Sequence, residues 1–275
     1  MRRSLIGRTW PNVIAVVLFV FFIFPVYWMI ATAFKQDNDI ISKTPVFIPF
    51  NGTLDHFTTA INAPNFWTYV TNSLIATIGA VLISLVIATL AAFAIARMKF
   101  RGRKTFVLVV MVAQMAPWEV MTIAVYMISR DNEMLNSLVP LTFFYMMMVL
   151  PFTIWTLRSF IAAVPKELEE SAMVDGCTRS QAFVKVIFPL LAPGLMSTSL
   201  FGFITAWNEF PLVLILNKEE GKTLPLWLSS FKTAFGNDWG ATMAASTMFA
   251  IPVLILFVFL QRKAVGGLTD GAVKG

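Results

Sequence analysis

The sequence has little charge and almost no cysteine or histidine. Only 13% of its 275 residues are charged, whereas soluble domains are about a quarter charged. A single cysteine, Cys177, excludes an internal disulfide. Together with the single histidine, His56, it leaves too few soft ligands for a closed zinc site of the usual kind. The chain must therefore be held together without disulfides or structural zinc.

Long apolar runs take the place of charged surface. Hydrophobic residues make up 57% of the chain, and its mean hydropathy is +0.75. Since a membrane-spanning helix needs roughly 20 apolar residues, the runs predict an all-α membrane protein with six transmembrane helices. The second and fifth runs exceed the thickness of a bilayer and should tilt, kink or project into water. Pro193 and Pro211 make the fifth run the one most prone to kink. The runs cover about residues 12–34, 68–96, 105–128, 138–157, 187–216 and 242–260.

The basic residues predict the orientation of these helices. If the N terminus is cytoplasmic, 15 of the 21 Lys and Arg residues fall on the cytoplasmic side and 6 on the outer side. Because cytoplasmic connections carry the excess of Lys and Arg, both termini are predicted to be cytoplasmic. A basic rim against anionic lipid also accounts for the net charge of +6 without a nucleic acid partner. In this orientation residues 35–67 form an external loop, with a short helix near Leu54–Ile61, and residues 264–275 form a cytoplasmic tail.

The first apolar run could be mistaken for a secretory signal, because Arg2, Arg3 and Arg8 precede it. Its length, and Pro25 and Trp28 in its second half, differ from the short apolar core of a cleaved signal. We therefore predict an uncleaved first span.

A charged segment, Pro165–Gly194, separates the fourth and fifth apolar runs. Pro165 suits the first position of a helix, and Gly176 suits a left-handed helix end. Thr178 and Gln181 then fit a capping box that starts a second helix. The segment is therefore predicted to form two helices with a break between them.

The first of these two helices is acidic. Between residues 165 and 180, four acids outnumber two bases, so anionic lipid should repel the helix. A short helix with small residues on one face suits the groove of another protein. Docking on a partner is one interpretation, and a helix that lies on lipid or packs on its own bundle is the alternative. The acids are Glu167, Glu169, Glu170 and Asp175, and the bases are Lys166 and Arg179.

The same segment resembles the EAA loop of the permease subunits of bacterial ABC importers. The departures from that pattern, at Ser171, Val186 and Phe188, are mild. Further resemblance lies in residues 206–210 and 267–275, and the chain as a whole is similar to the shorter permease of maltose-type, carbohydrate-uptake importers. The matching residues of the loop are Glu170-Ser171-Ala172, Gly176 and Val186-Ile187-Phe188-Pro189.

This resemblance implies a type I ABC importer permease fold, with residues 1–275 as a single multi-pass domain in the bacterial inner membrane. The implied partners are a second permease, two cytoplasmic ATPases and an external solute-binding protein, with a carbohydrate as cargo. ATP and Mg would be bound by the ATPases, and no cofactor by this chain. Residues 165–189 would form the coupling loop on an ATPase, and the tail would either add a contact there or fray. The implied coupling residues are Glu167, Glu170, Ser171, Ala172, Asp175, Gly176, Val186, Phe188 and Pro189.

The sequence offers no ATP site or catalytic centre of its own. Gly221-Lys222-Thr223 resembles the end of a phosphate loop, but Leu216 stands where the first glycine of that motif belongs. No GxSxG elbow is present, and His56 and Cys177 fall in connections on opposite sides of the membrane. We therefore expect a non-catalytic transport subunit.

Two acids, Glu119 and Glu209, lie within apolar runs, where an ionised group usually faces water or a polar partner. With Trp207 and Asn208 they are candidates for a translocation path, because aromatic faces suit sugar rings. The alternative for Glu209 is a structural bond to a neighbouring helix or to the second permease, since polar side chains often join membrane helices. For Glu119, a place near the outer surface is equally open.

An ion-coupled secondary transporter is the alternative function, with Glu119 and Glu209 as its relay. Such folds often carry internal repeats with interrupted helices in matching positions, and we find no such self-similarity in this sequence. The cargo stays open among an oligosaccharide, a monosaccharide and a glycerol phosphate ester.

Overall fold

The computed structural model describes residues 5–217, 221–233 and 236–269. These residues form fourteen α-helical segments, one π-helical turn at Phe183–Ile187, one 3-10 turn at Ser229–Phe231, and a short antiparallel pair of strands, β1 (Lys232–Thr233) and β2 (Gly236–Asn237). The helices are α1 (Leu5–Ala33), α2 (Asp37–Ile40), α3 (Asp55–Ile61), α4 (Phe66–Arg97), α5 (Arg103–Met115), α6 (Trp118–Asp131), α7 (Leu138–Ala163), α8 (Lys166–Val174), α9 (Arg179–Ala182), α10 (Phe188–Leu190), α11 (Ala192–Trp207), α12 (Pro211–Leu216), α13 (Leu224–Leu228) and α14 (Trp239–Thr269).

Four of the described helices are each long and apolar enough to cross a membrane. Two further pairs of helices meet the same test when each bent pair is taken as one span, which brings the number to six. The all-α membrane fold predicted from the apolar runs is thereby confirmed. The four single spans are Trp10–Ala33, Phe66–Arg97, Leu138–Ala163 and Trp239–Gln261, and the bent pairs are Arg103–Met115 with Trp118–Asp131 and Arg179–Leu190 with Ala192–Trp207.

Both bent pairs turn next to a proline. The helices on either side of Leu191 meet at 68°, so the fifth apolar run kinks as expected, just before Pro193. The third run, for which no particular kink was predicted, bends further, by 93° between α5 and α6. Ala116 has an extended backbone (ψ 132°) because a residue before proline, here Pro117, is pushed out of the helical region.

The chain divides into two compact units, of which the first comprises residues 1–66 and 227–251. The most apolar stretch of α1 in this unit has no buried residue. Beyond α1, the buried His56 of α3 has its Nε2 2.8 Å from the Lys35 carbonyl oxygen. Gly240 lies against the His56 ring so closely that a Cβ there would overlap it. The short helix predicted near Leu54–Ile61 is confirmed as α3.

The second unit comprises residues 67–226 and 252–275, and α4, α7 and α11 form its centre. Small residues let these helices approach one another, as is usual in membranes. A Cβ on Gly202 of α11 would lie 2.7 Å from the Val149 Cγ1 atom of α7. Fully buried alanines line one face of α4: Ala76, Ala80, Ala88 and Ala92.

An apolar cluster at one end of the second unit forms the base of the charged segment. It joins the end of α4 to the end of α7, and also to the helices that follow the segment. This base holds residues 165–190 against the bundle. Its fully buried members include Ala88, Ala92, Leu157, Ile161, Ile187 and Leu191.

The predicted tail of residues 264–275 is helical within α14 as far as Thr269. From position 270 it lies outside the described residues.

Candidate coupling segment and polar residues of the apolar runs

The first helix of the charged segment, α8, follows Pro165 and ends in a left-handed turn. Gly176 has φ +91°, a conformation that residues with a Cβ rarely adopt. The Gly176 N–H donates to the Met173 carbonyl at 3.1 Å, and the Cys177 N–H donates to the Ala172 carbonyl at 3.0 Å. These two bonds form the Schellman pattern of a helix end, and they confirm the turn predicted at Gly176.

The second helix of the segment starts at the predicted capping box. The Gln181 N–H donates to the Thr178 hydroxyl at 3.3 Å, and the Thr178 N–H donates to the Gln181 side-chain oxygen at 2.8 Å. Two backbone donors that a helix N terminus leaves unpaired are thus satisfied. With the turn at Gly176, this box gives the segment a defined shape between residues 174 and 182.

A buried ion pair fixes α8 to the bundle. Arg97, the last residue of α4, places its Nε 3.3 Å from Glu169 Oε2, and the two side chains are only 7% and 8% exposed. The Arg97 Nε–H does not point at the carboxylate, so this contact is ionic rather than a hydrogen bond. The same guanidinium donates through its Nη2 to the Val164 carbonyl at 2.6 Å. One side chain therefore joins the end of α4, the end of α7 and the first turn of α8.

The burial of α8 divides it into two faces. Glu169 is buried, and Ala172 and Met173 are half-buried against the rest of the chain. Val174 is 86% exposed and Leu168 is 45% exposed, which is unusual for apolar side chains on a charged helix. The predicted coupling residues that are exposed on this helix and its C-terminal turn are Glu167, Glu170, Ser171, Asp175 and Gly176.

The remaining predicted coupling residues lie where the segment enters the apolar bundle. Val186 is half-buried, Pro189 is exposed, and Phe188 is 45% exposed. Val186 lies in the π-helical turn that follows α9, and such turns are frequent at functional sites. The centroid of its Phe183 ring lies 4.7 Å from the centroid of the Phe93 ring of α4, so this turn also packs against α4.

Glu209 is buried, with 3% of its surface exposed, and both of its oxygens are bonded. Oε1 accepts the Leu212 N–H at 2.8 Å, which caps the first turn of α12. Oε2 accepts the Tyr145 hydroxyl of α7 at 3.3 Å. These contacts join the break before α12 to α7 and favour the structural alternative for Glu209.

The other candidates for a translocation path differ in exposure. Trp207 is 1% exposed and stacks on Phe203, with ring centroids 5.2 Å apart. Asn208 is exposed and donates to the Ile204 carbonyl at 2.7 Å. Glu119 is exposed in the first turn of α6. A path through these positions stays a prediction.

A separate cavity of about 380 Å³ lies at the bend between α5 and α6. Aromatic and methionine side chains line much of it, and among the lining residues that the structure describes there is no Asp or Glu. Gln114, Trp118 and Thr205 come together in its wall. In the described part of the chain, no three His, Cys, Asp or Glu side chains form a group that could hold a metal ion.

Comparison with known proteins gives consistent matches. A family model described as a binding-protein-dependent transport system inner membrane component matches residues 80–265. The chain is 72% identical over 276 residues to the diacetylchitobiose uptake system permease protein of Streptomyces coelicolor, covering 100% of both chains. It is 32% identical over 279 residues to the trehalose/maltose transport system permease protein of Thermococcus litoralis, again covering 100% of both.

A solved structure has the same fold. It is the crystal structure of a bacterial ABC transporter involved in the import of the acidic polysaccharide alginate, and the TM-score is 0.80. The alignment covers 95% of this chain and 99% of that one, at 22% sequence identity.

Proposed function

The chain belongs to the family of binding-protein-dependent transport system inner membrane components, and we propose that this permease of a sugar ABC importer serves the uptake of diacetylchitobiose. The observation that carries the sugar assignment is the 72% identity to a diacetylchitobiose uptake permease over the full length of both chains. The 32% identity to a trehalose/maltose permease is much lower. A disaccharide of N-acetylated sugars is therefore the favoured cargo.

Helix α8 is the coupling helix, and its exposed face docks on a cytoplasmic ATPase. Support comes from the exposure of Glu167 and Glu170 together with Val174, which is 86% exposed. An apolar side chain ringed by charges is typical of the centre of a protein interface with a polar rim. A partner surface with basic residues around an apolar depression would complement this face.

The buried contacts at the base of α8 explain how a movement there would reach the membrane helices. A coupling element transmits motion only if its joint is stiff. The Arg97–Glu169 pair joins α8 to α4, and Ile187 and Leu191, both fully buried, join the rest of the segment to α4 and α7. When the ATPases close on ATP, α8 is displaced, and α4, α7 and α11 follow it.

The other subunits of the transporter are separate chains. A second permease completes the pathway, two ATPases bind ATP and Mg, and an external solute-binding protein delivers the sugar. This chain binds no cofactor and catalyses no reaction. The orientation predicted from the basic residues, with the coupling segment in the cytoplasm, is the one that this arrangement requires.

The test is transport by the reconstituted complex of this chain, its second permease, the ATPases and the binding protein. We expect uptake of labelled diacetylchitobiose into proteoliposomes that requires ATP inside them and the binding protein outside. Uptake should persist when an ionophore collapses the ion gradients, because ATP drives it. Uptake by an ion-coupled carrier would stop under the same conditions. Equal competition by unlabelled maltose would contradict the sugar assignment, and uptake without ATP would contradict the coupling mechanism.

A further inference from the structure

A basic cavity of about 740 Å³ lies at the start of α5, outside the coupling segment. Four cationic side chains line it, and no acid is among the lining residues that the structure describes. Lys99 and Lys104 are exposed, whereas Arg103 and Arg158 are half-buried. Among the described residues, none of these four side chains takes part in an ion pair. Like charges gathered in one concave site repel each other unless an anion joins them.

Arg158 is held as a fixed element of this site. Its guanidinium carbon lies 5.0 Å from the centre of the Trp155 ring, a cation–π distance. Its Nε is buried and has no hydrogen-bond partner in the part of the chain that the structure describes. A buried guanidinium N–H without an acceptor is costly, and the described residues offer it none.

The backbone adds positive potential to the same cavity. α5 is a 13-residue helix that begins after Gly102, and it has neither an acid in its first turn nor a side-chain cap. Helix N termini favour phosphate groups because N–H groups of the first turn lack intrahelical acceptors. At this one, the Arg103 N–H already donates to the Phe100 carbonyl at 3.4 Å. The cavity wall includes Gly102 and the first two residues of the helix, Arg103 and Lys104.

From the charge and the lining of this cavity we propose that it binds the phosphate of an anionic membrane lipid such as phosphatidylglycerol. A lipid headgroup and free phosphate would both place a phosphate against two arginines, two lysines and a helix N terminus. A lipid is favoured over free phosphate because Phe100 and Val107 also line the cavity and offer apolar surface to the glycerol and acyl chains. The cavity also follows directly on the end of α4, where Arg97 contacts α8. Basic sites at the predicted cytoplasmic ends of membrane helices suit anionic headgroups.

The experiment is native mass spectrometry of the complete transporter, purified in detergent with equal amounts of phosphatidylglycerol and phosphatidylcholine. We expect the wild type to retain phosphatidylglycerol in preference to phosphatidylcholine. Arg158→Gln should lower that retention about fivefold, the factor that corresponds to roughly 1 kcal/mol per basic residue near an anionic surface. Lys104→Gln, at an exposed position that tolerates substitution, should give a loss in the same direction.

Arg101→Gln is the matched control, because Arg101 is exposed on the same loop but does not line the cavity. It should leave the preference for phosphatidylglycerol unchanged. Equal losses in Arg101→Gln and Arg158→Gln would overturn the proposal, since any basic residue would then suffice. In a separate arm with inorganic phosphate and no added lipid, binding that depends on Arg158, combined with no lipid preference in the first arm, would overturn the lipid assignment.

Discussion

The Arg97 guanidinium lies 3.3 Å from the Glu169 carboxylate, and both side chains are almost fully buried. Arg97 ends one long membrane helix, and Glu169 lies in the first turn of the short helix that we assign to coupling. The same arginine bonds the Val164 carbonyl at 2.6 Å. This pair thus attaches α8 to the bundle.

Loss of one partner of this pair should destabilise the chain. Glu169→Gln leaves the Arg97 charge buried without its counter-ion, and breaking a buried pair in this way costs roughly 3 kcal/mol. We expect a lower apparent melting temperature of the purified complex. Glu170→Gln is the matched control, since Glu170 is the next residue and is exposed. Equal melting temperatures for the two variants would contradict a structural role for the pair.

Charge reversal at Asp175 should uncouple transport from ATP hydrolysis. Asp175 is exposed at the C-terminal end of α8, where the helix dipole disfavours an acid and favours a base by about 0.3–1 kcal/mol. Asp175→Lys should therefore keep α8 folded, and any loss must come from the partner surface.

We expect the Asp175→Lys chain to insert normally and the sugar-stimulated ATP hydrolysis of the complex to fall at least about tenfold, or roughly 1.4 kcal/mol. Asp175→Asn, which removes the charge without reversing it, should fall between that variant and the wild type. Full sugar uptake by the Asp175→Lys complex would count against docking through this face.

The contact between α11 and α7 at Gly202 should not accept a larger residue. A Cβ on Gly202 would lie 2.7 Å from Val149 Cγ1, and overpacking of this kind costs about 1–3 kcal/mol. Gly202→Ala should lower the melting temperature. The double variant with Val149→Ala should recover part of that loss, because the clashing atom is removed.

Gly79→Ala is a milder comparison for the Gly202 variant, since its Cβ would lie 3.2 Å from Thr142 Cγ2. A Gly202→Ala chain as stable as the wild type would show that α11 and α7 are not closely packed at this point.

Local rules predicted the charged segment well. Gly176 and the Thr178–Gln181 box depend on neighbouring residues and backbone geometry alone, so their types and spacing identify them in the sequence. Glu169 is one of the acids of the same helix, but its partner Arg97 is far away along the chain. Sequence spacing carries no information about such a pair, and only the packing of α4 beside α8 brings the two together.

The bend in the third run, which was not predicted, has a local explanation. The residues of the third run are apolar on both sides of Pro117, and a composition window treats them as one helix. Ala116 precedes a proline, and that position disfavours helix, so the break was visible in principle. In the fifth run, an acid two residues before Pro211 was likewise a helix-start signal, and the structure shows Glu209 in that capping role.

Glu209 offers the clearest choice between structure and transport path. Its two oxygens accept the Leu212 N–H and the Tyr145 hydroxyl, so Glu209→Ala should remove a helix cap, at about 0.5–2 kcal/mol, together with a bond between helices. Glu209→Gln keeps an oxygen for the Leu212 N–H, and Tyr145→Phe removes only the contact with the Tyr145 hydroxyl. Each of these two variants should therefore lose less stability than Glu209→Ala.

We expect the melting temperature and sugar uptake to decline in parallel across these three variants, because both follow from the same packing. If Glu209→Gln instead abolished uptake at an unchanged melting temperature while Tyr145→Phe transported normally, the carboxylate would act on the sugar, and the structural assignment would be wrong.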